Sequence, residues 1–272
     1  MEATSERRSF DLGTPDMILE AEGRVARLTF NRPQARNAMT FDMYDAIVTA
    51  CDIVEADDDL RVLVLTGAGG RAFASGTDIR QFQSFETADH VLAYEARISR
   101  TLDRLEGLKR PTIAMIVGDA VGGGMGLAMC CDLRYCTPES RFGVPTARTL
   151  GNALSINNYA RMVDLIGPTR AKELMFTAKL YTAAEAAGVG FVNEVVAGDA
   201  IEARVTELAT SIAGNAPLTI RASKEAIRRL LVQRRLDGPA NTDIMLMAYL
   251  SEDFKEGVSA FLEKRPAQWK GR

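Results

Sequence analysis

The feature that most constrains this fold is the alternation of short apolar runs with amphipathic stretches, the runs closed by glycine. Arg61 to Thr66 (RVLVLT) reads as a buried strand, ended by the turn-forming Gly67-Ala68-Gly69-Gly70. A long helix from about Asp89 to Leu108 follows. Pro111 stops it, Thr112 to Val117 is a second apolar strand, and Gly122-Gly123-Gly124 opens an apolar helix from Met125 to Cys131. Leu133 to Cys136 then reads as a strand. Upstream, Met17 to Ala21 and Arg24 to Asn31 are strands about a turn at Glu22-Gly23, and Thr40 is placed to N-cap a helix running to about Ala56. This order implies an α/β core with largely parallel pairing. Beyond Gly190-Phe191-Val192-Asn193-Glu194 the chain reads as helices at about 200–213, 217–234, 240–250 and 252–262. The expected organisation is a loose N-terminal tail over 1–16, a core over 17–198, and a helical region over 199–272 suited to a subdomain or an oligomerisation arm.

With 272 residues, 47% of them hydrophobic, the chain can bury a sizeable core without covalent staples. Cys130 and Cys131 are neighbours in an apolar stretch, where a disulfide between them would be strained, so a reducing, cytoplasmic setting is expected. The only histidine, His90, lies some forty residues away in a helix, so no metal site is expected. A net charge of -3 with no long basic run gives no electrostatic reason to bind nucleic acid. No apolar run approaches the roughly 18 residues of a membrane span, and the first sixteen residues lack a secretory apolar core.

The chemistry-bearing features are two glycine turns. In Ala72-Phe73-Ala74-Ser75-Gly76-Thr77-Asp78-Ile79, Gly76 lets the backbone turn so that the Thr77 amide points outward. At Gly122-Gly123-Gly124 the unpaired first-turn amides of a helix favour a negative oxygen. Two such amides converging would form an oxyanion hole; each motif alone reads equally well as a packing turn. Gly67-Ala68-Gly69-Gly70-Arg71-Ala72 matches a loose dinucleotide fingerprint, but no helix of regular apolar period follows it. No Gly-Lys-Ser/Thr is placed for a P-loop, and Ser75 lacks the glycine frame of a nucleophile elbow.

These stretches resemble the crotonase (enoyl-CoA hydratase/isomerase) superfamily. The similarity is carried, in order, by Asn31 to Ala38, Ala72 to Ile79, Lys109-Arg110-Pro111-Thr112-Ile113-Ala114 leading to Gly122-Gly123-Gly124, Cys131-Asp132-Leu133-Arg134 with Phe142-Gly143, Gly188 to Asn193, and Phe261-Leu262-Glu263-Lys264-Arg265. The resemblance implies a spiral of ββα repeats, a C-terminal helical region packing homotrimers or dimers of trimers, and an acyl-CoA site with coenzyme A as part of the substrate rather than a separate cofactor. Its oxyanion amides fall on Thr77 and Gly123. Its CoA contacts fall near Arg36, Ala38, Ala74, Asp78 and Ile79, with Lys264 or Lys270 for phosphate; Asp78 reads equally as a helix cap.

The paired glutamates with which hydratases of the resembled family activate water fall here on Gly126 and Thr146, neither of which exchanges a proton near neutral pH. The wall from Thr146 to Ser155 holds no carboxylate, where related isomerases and dehalogenases carry one; it offers Asn152 and Ser155, which orient groups but are poor bases. The resemblance therefore implies an enzyme that stabilises a thioester oxyanion or enolate, with base-independent decarboxylation or thioester hydrolysis as alternatives and a catalytically weak acyl-CoA binding protein as a reading of another class. His90 is expected as an exposed helix residue, Arg148 as a partner either of a substrate carboxylate or of a neighbouring acid, and Asp132 as structural.

Overall fold

The computed structural model describes residues 7–233, 235 and 239–272. In chain order it forms β1 (Arg7–Phe10), β2 (Met17–Glu22), β3 (Val25–Phe30), α1 (Phe41–Ala56), β4 (Val62–Gly67), β5 (Ala72–Ala74), α2 (Ala88–Glu106), β6 (Thr112–Ile116), β7 (Asp119–Val121) and α3 (Gly123–Cys130). There follow β8 (Leu133–Cys136), β9 (Arg141–Gly143), α4 (Thr146–Thr149), α5 (Ile156–Thr177), β10 (Tyr181–Thr182), α6 (Ala183–Gly188), β11 (Glu194–Val195), α7 (Ile201–Gly214), α8 (Pro217–Val232), α9 (Pro239–Tyr249) and α10 (Glu252–Glu263).

The strands make two sheets, one in the order β1-β2-β3-β4-β6-β8-β11 and a smaller one in the order β10-β9-β7-β5. From β3 to β11 the large sheet is parallel, as the βα alternation requires. Every side chain from Val62 to Thr66 is buried, which is why that run is continuously apolar rather than alternating. Successive units β4–β5–α2 and β6–β7–α3 each give one strand to each sheet, and β8–β9 does the same, so the chain winds as a ββα spiral.

Three points depart from the sequence reading. Arg7–Phe10, expected within a loose tail, pairs with β2 as an antiparallel edge strand, Arg7 bridging to Glu20; the first six residues lie outside those described. The small sheet is absent from the sequence reading because its strands run only two or three residues, too short for a period to declare itself. Nor was α5 foreseen: Gly167, at φ 75°, kinks it ahead of Pro168 and interrupts the helical signal.

The C-terminal helices divide by role. Val205, Ala209 and Ala213 of α7 cover the outer face of the large sheet against Val64, Ile113 and Met115. Met245 and Tyr249 of α9 and Phe254 and Val258 of α10 pack on Phe82, Phe85, Val91 and Leu150. They roof the central cavity, while α8 buries none of its residues. No helix among the described residues is long and apolar enough to cross a membrane.

Candidate active site

The site begins where two neighbouring strands end. β5 pairs with β7 in parallel, Ala74 opposite Ala120, so the turns leaving them, Ser75-Gly76-Thr77 and Gly122-Gly123, emerge side by side. Gly76 has φ 112° and Gly122 φ 56°, conformations that side chains resist. The turns abut: a Cβ placed on Gly76 would stand 3.8 Å from the Gly123 nitrogen, and one on Gly123 would stand 3.5 Å from the Thr77 nitrogen. Gly124 brings α3 so near β5 that any side chain there would strike the Ala74 carbonyl. Gly123 is the first residue of α3, so its N–H has no intrahelical acceptor. Among the described residues, neither it nor the Thr77 N–H donates to a carbonyl of another element.

The loop Asn31 to Ala38 laces along the first turn. Ser75 N donates to the Arg36 carbonyl (3.1 Å), Met39 N to the Gly76 carbonyl (2.8 Å), and Asp78 N to the Met39 carbonyl (2.8 Å). Buried Asn37, at φ 54°, donates to the carbonyls of Ala68 (3.0 Å) and Ala72 (2.7 Å) and accepts from Arg32 N (2.9 Å). The Thr77 hydroxyl is held by Tyr44 Oη at 2.9 Å and Tyr94 Oη at 3.2 Å.

Both turns open on a cavity of about 180 Å³. Of the residues singled out from sequence, Thr77, Gly123, Gly126, Thr146, Asn152, Ser155 and Ile79 line it. Arg36, Ala38, Ala74 and Asp78 back the first turn instead. Asp78 caps the short 3-10 helix after it, accepting from Arg80 N, and its carboxylate takes Arg80 Nη2 at 2.5 Å, which holds its pKa below the usual aspartate value. Lys264 is exposed at the end of α10, three residues beyond Phe261 at the cavity mouth. Arg148 and His90 are exposed and outside the cavity. Asp132 accepts from Thr112 N (2.7 Å) and pairs with Lys224 (2.7 Å), a structural role. The four cysteines are buried and unbridged, and burial pushes the Cys130 thiol up to about 12, leaving it inert. No cluster of metal-binding side chains occurs among the described residues.

Sequence reasoning missed Glu95 among the cavity residues. Glu95, on the same helix as His90, faces inward at 9% exposure and lines the cavity. Burial lifts its pKa from 4.5 to about 7. The signal was present in the sequence: Val91, Ile98, Leu102 and Leu105 make the buried stripe of α2, and Glu95 stands within it. Three buried oxygens of the cavity wall, Glu95 Oε2, Asn152 Oδ1 and Ser155 Oγ, have no hydrogen-bond partner among the described residues. Asn152 Nδ2 donates to Tyr249 Oη at 2.9 Å, which turns its carbonyl oxygen away from that phenol. Such a wall is apolar with a few convergent polar atoms, the usual form of a small-molecule site.

Residues 20–272 match the enoyl-CoA hydratase/isomerase family model. The chain is 35% identical to the short-chain-enoyl-CoA hydratase of Clostridium acetobutylicum over 252 residues, covering 92% of this chain and 95% of that one. Among solved structures it is similar to an enoyl-CoA hydratase/carnithine racemase from Magnetospirillum magneticum (TM-score 0.78, 33% identity, 96% of this chain and 97% of that one). It is also similar to a methylmalonyl-CoA decarboxylase in complex with 2-nitronate-propionyl-CoA (TM-score 0.87, 27% identity, 96% and 100%). The chain belongs to the enoyl-CoA hydratase/isomerase family, and its fold is that of the crotonase superfamily.

Proposed function

We propose that this enzyme binds a coenzyme A thioester with the acyl group in the central cavity and the carbonyl oxygen between the N–H groups of Thr77 and Gly123, and that its reaction passes through the resulting oxyanion or enolate. The observation that carries this reading is the pairing of Ala74 with Ala120, which sets the two free amides side by side on one cavity. Charge that develops on the thioester oxygen then meets fixed donors in a water-poor site, where they need no reorganisation. Thr146, Asn152 and Ser155 offer hydroxyl and amide groups along the acyl group. The CoA contacts fall near Arg36, Ala38, Ala74, Asp78 and Ile79, with Lys264 or Lys270 for phosphate, and Phe261 lines the cavity. No cofactor beyond the CoA of the substrate enters, and the working form is a homotrimer or a dimer of trimers. Leu218, Ile227 and Leu230 of α8, each more than half exposed, supply apolar surface for such an assembly.

Decarboxylation of a malonyl-type thioester is a second reading, favoured by the similarity to a methylmalonyl-CoA decarboxylase and by Gly126 and Thr146 standing where the resembled hydratases carry glutamates. Loss of carbon dioxide leaves the enolate with no base needed. A catalytically weak acyl-CoA binding protein would show thioester binding without turnover on either substrate class. The test of the main reading is optical. 2,4-Hexadienoyl-CoA bound with its carbonyl polarised absorbs at longer wavelength; the expected result is a red shift in the native protein, and binding of NAD with no shift for the thioester overturns the assignment.

A further inference from the structure

Resting on the thioester reading above, we propose that Glu95 is the proton-transfer residue of this site, exchanging a proton with the α-carbon of an uncharged acyl thioester. The cavity wall offers a narrow choice. Among its described lining residues Glu95 is the one side chain other than tyrosine that ionises. The phenols that face it are Tyr44 from α1, Tyr94 from α2 itself and Tyr249 from α9, and burial raises all of them, Tyr44 to about 12. They keep their protons at neutral pH and cannot serve as bases there.

Glu95 is also unexplained as a structural residue. Its Oε2 is buried with no partner among the described residues, and no charged group among them offsets its burial. A carboxyl left unmatched in an apolar wall is costly, and such groups mark sites where a ligand or a proton is handled. The site also lacks a side chain at Gly126, on the helix packed beside α2. A Cβ there would meet only Leu102 Cδ1, at 3.9 Å, two turns along α2 from Glu95. Gly126 on α3 and Glu95 on α2 thus line the same cavity, and only the second brings a carboxyl to it. A pKa lifted to about 7 by burial suits a group that must both accept and return a proton near neutrality.

The step balances with no further reagent. The Glu95 carboxylate takes a hydrogen from Cα as a proton: the Cα–H bond breaks, the Oε–H bond forms, and the C–H electron pair moves through Cα–C1 onto the thioester oxygen, where the Thr77 and Gly123 amides receive it. In the reverse direction the neutral acid returns the proton and the carbonyl re-forms. No Lys, Arg or His is among the described cavity-lining residues, so nothing there would neutralise a carboxylate on the acyl group. An uncharged acyl chain fits the apolar wall of Ile98, Leu102, Val144 and Leu154.

The experiment follows α-deuteration of butyryl-CoA in deuterium oxide by mass spectrometry, with the hexadienoyl-CoA shift recorded on the same preparations. Native protein is expected to exchange the α-hydrogens, at a rate that climbs with pH and levels above about 7. Glu95→Gln should keep the red shift and lose exchange by at least about 100-fold, and Glu95→Asp should recover part of it. Exchange that survives in Glu95→Gln, or its absence from native protein whose red shift is intact, overturns the role of Glu95 alone. Loss of the shift in Glu95→Gln would make Glu95 a folding or binding residue and sink the assignment as well. No shift in the native protein instead removes the thioester reading beneath it.

Discussion

The phenol oxygen of Tyr44 sits 2.9 Å from Thr77 Oγ1 and fills the space into which a Cβ on Gly123 would project. Tyr44 is 1% exposed and lines the cavity, its hydroxyl tied to that of Thr77. One buried side chain therefore orients one amide turn and forbids a side chain at the other. Gly123→Ala should displace the α3 N-terminus from Thr77 and cost about 10²–10³ in kcat, the loss typical of one oxyanion donor. The hexadienoyl-CoA shift should shrink in parallel, and the overpacking should lower the melting temperature. A full shift in Gly123→Ala would mean that the amide is not a donor.

Asn37 ties the same turn from behind. Its side chain makes three hydrogen bonds, to Arg32 N, Ala68 O and Ala72 O, and its backbone adopts a left-handed conformation that asparagine tolerates and alanine resists. Asn37→Ala leaves buried backbone groups unmatched, so a destabilisation of about 3 kcal/mol or more is expected in urea unfolding. Because β5 leads directly to Thr77, activity should fall even at temperatures where the variant stays folded. A loss below about 1 kcal/mol would show that water replaces all three bonds.

Crotonyl-CoA hydration should be slow in the native enzyme, since Gly126 and Thr146 bring no carboxylate to the cavity. The open space around Gly126 makes the converse change feasible: a Cβ there meets nothing nearer than 3.9 Å. The double variant Gly126→Glu/Thr146→Glu should gain hydration by at least about 100-fold, the scale of one general acid–base contribution. Steady-state loss of enoyl absorbance measures it. A native rate already matching that of the double variant would show that the family positions were carried over to the wrong residues.

What could be read ahead of the structure followed the length of each signal. Val62–Gly67 and Thr112–Ile116 are continuous apolar strands, α1 carries its side-chain cap at Thr40, and α2 runs for nineteen residues, so their places were visible. Glycine turns mark where backbone is exposed, which singled out the Thr77 turn and the Gly122–Gly124 triplet, while the choice of Gly123 rested on the family resemblance. Their convergence was not legible, since it depends on the pairing of Ala72–Ala74 with Asp119–Val121, strands held by tertiary contact rather than by a repeating pattern. Arg7–Phe10 hid for a related reason: an edge strand with an exposed arginine looks like a tail until its partner is known. Glu95 escaped because carboxylates were sought on the wall from Thr146 to Ser155, whereas it reaches the cavity across the packing of α2.

Burial of Glu95 has a thermodynamic signature independent of catalysis. Below its ordinary value of 4.5 the carboxyl is neutral in both folded and unfolded chains, and the proton adds no pH dependence. Above 4.5 the unfolded chain releases the proton while the folded protein keeps it to about 7, so the native state binds more protons and stability falls as pH rises through that window. At about 1.4 kcal/mol per pH unit, the loss reaches about 3 kcal/mol by pH 8. Glu95→Gln carries no such proton, so its stability relative to the native protein should rise by that amount between pH 4.5 and pH 8. Paired urea titrations at the two pH values measure the difference directly. A constant offset between the proteins would mean that Glu95 ionises in the folded state as readily as in water, and the cavity would then be wet around it.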